Sequence, residues 1–409
     1  MLTGSTTWVC KKQMVEINCR FSKRDRGVLN NLLGVLVRKK TLLSLRLAAL
    51  LSCVISAASF AASTDPALLK ARQEAEAKGY LFIANRDEIV AKAKQEGKLR
   101  VLTGMEPPTL KASAAAFRKR YPFIEVKIEE TTGTDGDERQ ILEIKSGAKD
   151  WDVHRLAVDR YADYIPYLLK IDVLGMAQHG ILQIPLPLID AEHRNALAFY
   201  NRFVVTAYNK NLVSAGQVPK VWEDLLKPEF KGKKFAADIR PKDIAGLVPA
   251  WGLEKTLSFA QRLAQQGPIW LRGGARPLTS ITAGEIPMMI GLNNTGVKRA
   301  QAKDPAGVLQ YAILEPVPLR LGEVEALQVT AQNVHAALLW FEWMASEEAQ
   351  KIADDNEPFA SSVFVRGGAV EKELKGRKLS VIGWEHHGSV SDWEGRVLQA
   401  YGFPKAERK

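Results

Sequence analysis

The run Lys98-Leu-Arg-Val-Leu-Thr-Gly-Met-Glu-Pro-Pro-Thr-Leu-Lys-Ala-Ser-Ala-Ala-Ala-Phe-Arg-Lys-Arg-Tyr-Pro-Phe-Ile-Glu-Val-Lys-Ile128 changes periodicity twice. Lys98–Leu102 reads as a short strand. Pro107 and Pro108 then suit a first helical turn, where a missing N–H costs nothing. Behind them Leu110, Ala114, Phe117 and Tyr121 recur at spacings of 4, 3 and 4, so one helix face is buried. Phe123–Ile128 alternates and reads as a second strand. A polar loop is expected over Glu130–Glu138, then a helix over Arg139–Ser146 and a strand over Trp151–Leu156. Strands alternating with helices argue for an α/β fold with a parallel sheet. In such sheets ligands sit beyond the carboxyl ends of the strands. That places Thr103–Glu106, Thr131–Asp137 and Ala157–Asp159 along one rim.

Outward from this unit, residues 63–97 read as a helical lead-in, with Leu68, Ala71 and Ala75 on one face and Ile89, Val90 and Ala93 in a second helix. Residues 98–203 form the first part of one lobe. Ala198–Asn209 is long enough to cross to a second lobe, residues 204–317. That lobe holds a strand at Lys234–Asp238, helices over Gly246–Gln265 and Pro277–Gly284, and a strand at Pro287–Gly291. Leu314–Pro318 is extended and suggests a return crossing. Residues 318–409 then complete the first lobe, with a helix at Ala336–Met344 and another capped by Ser346. Glu347 and Glu348 fall in its first turn, where the helix dipole favours negative charge.

Composition is that of a folded soluble chain. The net charge of +11 is misleading, because residues 1–62 hold ten basic and two acidic residues and leave the remainder near +3. No basic stripe interleaved with aromatics survives there, so a nucleic-acid partner is not expected. Cys10, Cys19 and Cys53 also lie in this segment, so no thiol nucleophile or Cys-based metal site exists downstream. Arg38-Lys39-Lys40, an apolar run over Leu47–Ala58 and the small residues Ser59 and Ala61 follow the order of a cleavable export signal, which points to the periplasm. Cys53 is a weaker candidate for lipid anchoring. The stretch ahead of the signal lacks periodicity, which suggests a true start near Val35 or Val37. The motifs H-E-x-x-H, G-x-S-x-G, the P-loop and G-x-G-x-x-G are absent, so no enzyme is expected and no cofactor is implied.

Four stretches together resemble the family-1 bacterial extracellular solute-binding proteins, which include the ferric-iron-binding proteins. They are Ala93–Val101, Pro219-Lys-Val-Trp-Glu-Asp-Leu-Leu-Lys-Pro-Glu-Phe-Lys-Gly-Lys233, Gly284-Glu-Ile-Pro-Met-Met-Ile-Gly291 and Ala337-Leu-Leu-Trp-Phe-Glu-Trp-Met-Ala-Ser-Glu-Glu-Ala-Gln350, in the family's order. The resemblance implies a two-lobed type II periplasmic binding protein fold with the ligand in the cleft. It also implies a monomer that closes by a hinge around a small-molecule solute and delivers it to an ABC permease in the inner membrane. A ligand-sensing protein that docks on a receptor would use the same fold. One departure stands out. Iron-binding members carry a tyrosine pair after the strand matching Pro287–Gly291, whereas this chain reads Leu292-Asn-Asn-Thr-Gly-Val-Lys-Arg299. Neutral Asn and Thr do not replace hard phenolate donors for ferric iron, which leaves ferric iron or an iron chelate as the alternative to a small, oxygen-rich, anionic solute.

Candidate ligand contacts follow. Asn293, Asn294 and Thr295 suit hydrogen bonding to an oxygen-rich ligand. Arg240, in the loop Asp238–Asp243 that faces the cleft in relatives, could grip a carboxylate or phosphate with two parallel bonds. Arg272-Gly-Gly-Ala-Arg276 precedes a helix and would offer backbone N–H groups to an anion. From the rim come Thr103, Glu106, Thr132, Thr134 and Asp159. No metal site is expected: the Thr131–Asp137 loop lacks EF-hand spacing. His386 and His387 read as a surface pair without a third ligand. Trp251 and Trp270 read as core before cleft.

Overall fold

The structure is a computed structural model that describes residues 65–131 and 133–403. The expected export signal and Cys53 lie outside the described residues. Among the described residues, fifteen α-helices and ten strands follow in order: α1 (Pro66–Ala77), α2 (Arg86–Glu96), β1 (Lys98–Thr103), α3 (Pro107–Arg120), β2 (Glu125–Glu130), α4 (Gly133–Lys145), β3 (Val153–Leu156), α5 (Tyr161–Tyr164), α6 (Val173–Gln178), β4 (Ala196–Asn209), β5 (Ala236–Asp238), α7 (Lys242–Ala245), α8 (Val248–Trp251), α9 (Leu253–Gln265), β6 (Ile269–Leu271), α10 (Ala275–Thr282), β7 (Met288–Asn293), α11 (Asn294–Gln301), β8 (Leu309–Ala312), β9 (Val317–Leu327), α12 (Val334–Met344), α13 (Glu347–Asn356), α14 (Ala369–Leu374), β10 (Leu379–Ile382) and α15 (Val390–Ala400).

Local chemistry accounts for many boundaries. The Asn85 side chain caps α2 by accepting from Asp87 N at 2.7 Å, and Gly97 ends it in the left-handed region, which glycine enters without a Cβ penalty. Ser346 caps α13 as its sequence suggests, its Oγ accepting from Ala349 N at 3.3 Å. The polar Glu130–Glu138 stretch departs from expectation. Helix α4 begins at Gly133 and takes in most of that loop. Asp135 sits in its first turn, where a negative charge favours a helix that composition alone would not support.

The strand order is β2-β1-β3-β9-β4-β7-β5-β6, with β10 on β9 and β8 on β4. β1 pairs in parallel with β2 and β3, as the strand–helix alternation requires. β9 enters antiparallel to both β3 and β4. β4 is the long crossing element: Ala196–Phe203 pairs with β9, and Val204–Tyr208 pairs with β7. Each side of the crossing has its own core. Phe117 stands edge-on to Trp340 at 5.2 Å and to Trp343 at 5.6 Å in the first. Helix α12 is apolar apart from His335 and Glu342, and Ala336–Met344 is buried throughout. The second core gathers Trp222, Phe259 and Ile290. The C-terminal segment, expected to return whole to the first lobe, divides in its packing. α12 and α13 join the first core, whereas Val397 and Tyr401 of α15 and its following turn join Trp222 and Phe259. Burial of those two apolar faces, rather than chain order, sets this partition.

A buried carboxylate fixes the rim of the first sheet. Asp152, fully buried, accepts from Arg100 N and Nη2 at 3.0 Å each, from Gln332 N at 2.9 Å and from Asn333 Nδ2 at 2.9 Å. Burial pushes this carboxyl up, but these donors outweigh it and hold it below the usual range. The network joins β1, the start of β3 and the approach to α12.

Candidate functional site

A cavity of about 590 Å³ opens where β4 passes from its pairing with β9 to its pairing with β7. Volumes of this order suit a small ligand. From the crossing strands come Arg202 and Arg320, which are directly opposite partners in the antiparallel pair and both line the cavity. Like charges in that position repel. Their neutralisation is incomplete. Arg202 reaches Glu357 only at 3.9 Å, while Arg320 donates from Nη2 to Glu394 at 3.0 Å and to the Lys242 carbonyl at 2.7 Å.

The loop after β5 forms a second wall. Asp238 accepts from Arg240 N at 2.9 Å, Arg240 Nη2 at 2.7 Å and Gly273 N at 3.1 Å. Burial raises its carboxyl, yet these bonds hold it below the usual range. Asp243 is different. It is buried, lines the cavity, and neither carboxyl oxygen has a side-chain hydrogen-bond partner among the described residues. Burial pushes it up to about 7, opposed by the backbone N–H groups of Ile244 and of Asp243 itself, reinforced by the nearby Asp238 and opposed by Arg320. Gly291, at φ +72°, lies against this carboxyl, and a Cβ there would overlap it. His387 approaches from the C-terminal segment. Its ring stacks on Tyr161 at 4.6 Å, burial holds its imidazole below the usual range, and its buried Nε2 lacks a partner among the described residues. The surface pair expected for His386 and His387 is therefore a cavity residue beside its neighbour, because Tyr161 and Trp384 cover it.

The candidates from sequence fall into two groups. Asp159, Arg240 and Asn293 line the cavity together with Gly273 and Gly274. Asp159 lies 3.6 Å from Lys242 Nζ, so the loop after β3 faces the loop after β5. Arg240 grips a carboxylate with two bonds, but the carboxylate is Asp238 of its own loop. Asn293 caps α11 through Thr295 N at 3.0 Å. The others are not among the lining residues. Thr103 is fully buried, and its hydroxyl donates to Glu323 at 2.6 Å. Glu106 pairs with Arg299, and Arg272 is exposed. Asn294 is buried and accepts from Phe203 N at 3.3 Å, which steadies the crossing strand. Thr132 and the side chain of Thr134 lie outside the described residues. Trp251 packs on Phe259 at 5.2 Å and Trp270 on Tyr401 at 4.7 Å, both at the edge of the second core.

Sequence reasoning passed over Arg202, Arg320 and Asp243, and read His387 as a surface residue. A signal was present for Arg202, the one charged residue of β4; Arg320 shares β9 with Glu323 and Glu325 and stands out less. For Asp243 there was none, since burial is not visible in a loop of mixed charges.

Comparison with known proteins agrees with this architecture. A Bacterial extracellular solute-binding protein family model matches residues 104–351. The apo ferric ion-binding protein A of Pasteurella haemolytica superposes with a TM-score of 0.56 at 20% identity, over 76% of this chain and 100% of that one. A Bordetella ferric binding protein gives 0.60 at 17%, over 75% and 100%. The Trichodesmium protein IdiA or FutA, solved with iron and citrate, gives 0.59 at 20%, over 75% and 100%. An uncharacterized protein of Haemophilus influenzae is 27% identical over 143 residues, 34% of this chain and 40% of that protein, so the chain spans under half the length of this relative. At these identities the structural likeness speaks for the fold, a two-lobed type II periplasmic binding protein. With more than half of its length matched by the family model and its fold shared with such proteins, the chain belongs to the bacterial extracellular solute-binding protein family.

Proposed function

We propose that this chain captures a small, oxygen-rich, anionic solute in the periplasm and delivers it to an ABC permease. The observation that carries the anion is the facing pair Arg202 and Arg320 in the cavity. Two guanidinium groups opposed across a strand pair are stabilised by a shared carboxylate or phosphate, which each can bind through parallel N–H groups. The export signal and the family support the compartment and the permease. Among the described residues no helix is long and apolar enough to cross a membrane. Closure of one lobe on the other would bring the loops after β1 and β3 against α11 and α7. The pairs Glu106–Arg299 and Asp159–Lys242 support such a closed arrangement. A solute that touches both lobes would favour it, since only differential affinity shifts such an equilibrium.

Titration calorimetry with carboxylates, phosphate esters, phosphonates and ferric chelates tests the reading. Saturable binding of an anion, weakened at least ~10-fold in Arg202→Gln, is expected from the loss of a charge-assisted bond. Binding confined to cations or apolar compounds would overturn it.

A further inference from the structure

Every other acid that lines the cavity has a cationic partner. Asp238 is held by Arg240, Glu394 by Arg320 and Asp159 by Lys242. Asp243 alone among them has none, although it is only 5% exposed and both its oxygens are buried. A buried acceptor of this kind is destabilising unless a partner arrives. The wall is shaped around it: Gly291 leaves the space that any side chain would take from the carboxyl. The Lys242 carbonyl, one residue away, accepts from Arg320 at 2.7 Å, the Arg320 charge acts on the Asp243 carboxyl, and both residues line the same cavity.

We infer that the solute is bifunctional: beside the anionic group held by Arg202 and Arg320 it carries a hydrogen-bond donor, a hydroxyl or a protonated amine, that meets Asp243. This rests on the anion reading above and narrows it to hydroxy- or amino-substituted acids and phosphate esters. A carboxyl that burial raises to about 7 serves either donor, since its ionised form accepts from both and favours the ammonium.

The test uses matched probes on the protein without its export signal: propionate, 3-hydroxypropionate and β-alanine; ethyl phosphate, 2-hydroxyethyl phosphate and 2-aminoethyl phosphate; and ethylamine and ethanolamine, which lack the anion. In at least one anionic series the donor-bearing members should bind ~10-fold or more tighter than the parent, the worth of one charge-assisted bond. Asp243→Ala should narrow that ratio to about twofold. The near-isosteric Asp243→Asn, which keeps an acceptor but no charge, should lose the preference for amine over hydroxyl, and it guards against misfolding of the alanine variant. Equal binding of all anions in each series would overturn the role of Asp243 and leave the anion reading standing. Binding of ethylamine and ethanolamine but of no anion would overturn the anion reading and the bifunctional solute with it. Silence from every probe would overturn both.

Discussion

Replacing Asp243 by asparagine should change the pH dependence of stability in a direction set by burial. The folded chain holds this carboxyl at about 7 against an ordinary 3.8. The folded state therefore binds the proton more tightly than the unfolded one. Its contribution is intact below the ordinary carboxylate range and is lost as pH rises through about 7. A difference of about three units, at ~1.36 kcal/mol each, sets an upper bound near 4 kcal/mol; local relaxation should leave roughly 2–4 kcal/mol. Asp238 and Arg240 on the same loop, Arg320 on β9 and Tyr401 behind α15 are the charged or titratable groups around it. Other groups titrate as well. Glu325, raised to about 8 by burial and by Glu323, loses stability in the same direction. Subtracting the variant from the parent cancels these and isolates Asp243. Urea unfolding followed by tryptophan fluorescence at about pH 3, 5 and 8 would measure it by linear extrapolation. Asp243→Asn should match the parent at the lowest pH and exceed it by roughly 2–4 kcal/mol at the highest. A gap that stays flat across this range would refute the reasoning.

Three further outcomes are expected. Asp152→Ala leaves the Arg100 guanidinium and the N–H groups of Gln332 and Asn333 without their acceptor, and should cost about 3–5 kcal/mol in urea unfolding. Gly291→Ala forces a side chain against Asp243 at a positive φ; a clear loss in Tm is expected, partly recovered when Asp243→Gly is added. Arg202→Gln should leave the ligand-free protein as stable or ~0.2–1 kcal/mol more stable, by relieving the repulsion with Arg320, while it weakens anion binding; thermal melts and calorimetry on one preparation would show whether the two effects separate.

Much of the fold was legible because its causes are local. The 4, 3, 4 spacing of Leu110, Ala114, Phe117 and Tyr121 announces helix α3, whose Phe117 is fully buried. Ser346 ahead of Glu347 and Glu348 announces α13, and the length of the run ending at Asn209 announces the crossing strand β4. Helix α4 was less legible, because a glycine- and acid-rich start carries the signature of a loop. The site was legible only in outline. Rim and glycine-loop positions could be named, yet Thr103 turns to Glu323 and Arg240 to Asp238, since nearby carboxylates compete for the same donors.

The α/β alternation, the crossing strand, the capped helices and the membership of four ordered segments in one family could be read along the chain, because each depends on periodicity or on sequence neighbours. The chemistry of the cavity arises from tertiary contacts. Arg202 and Arg320 stand 118 positions apart and face each other solely through the register of β4 with β9. Asp243 is buried because Gly291 of β7 packs against its carboxyl. Register and burial are long-range properties, and they turn ordinary charged residues into a site.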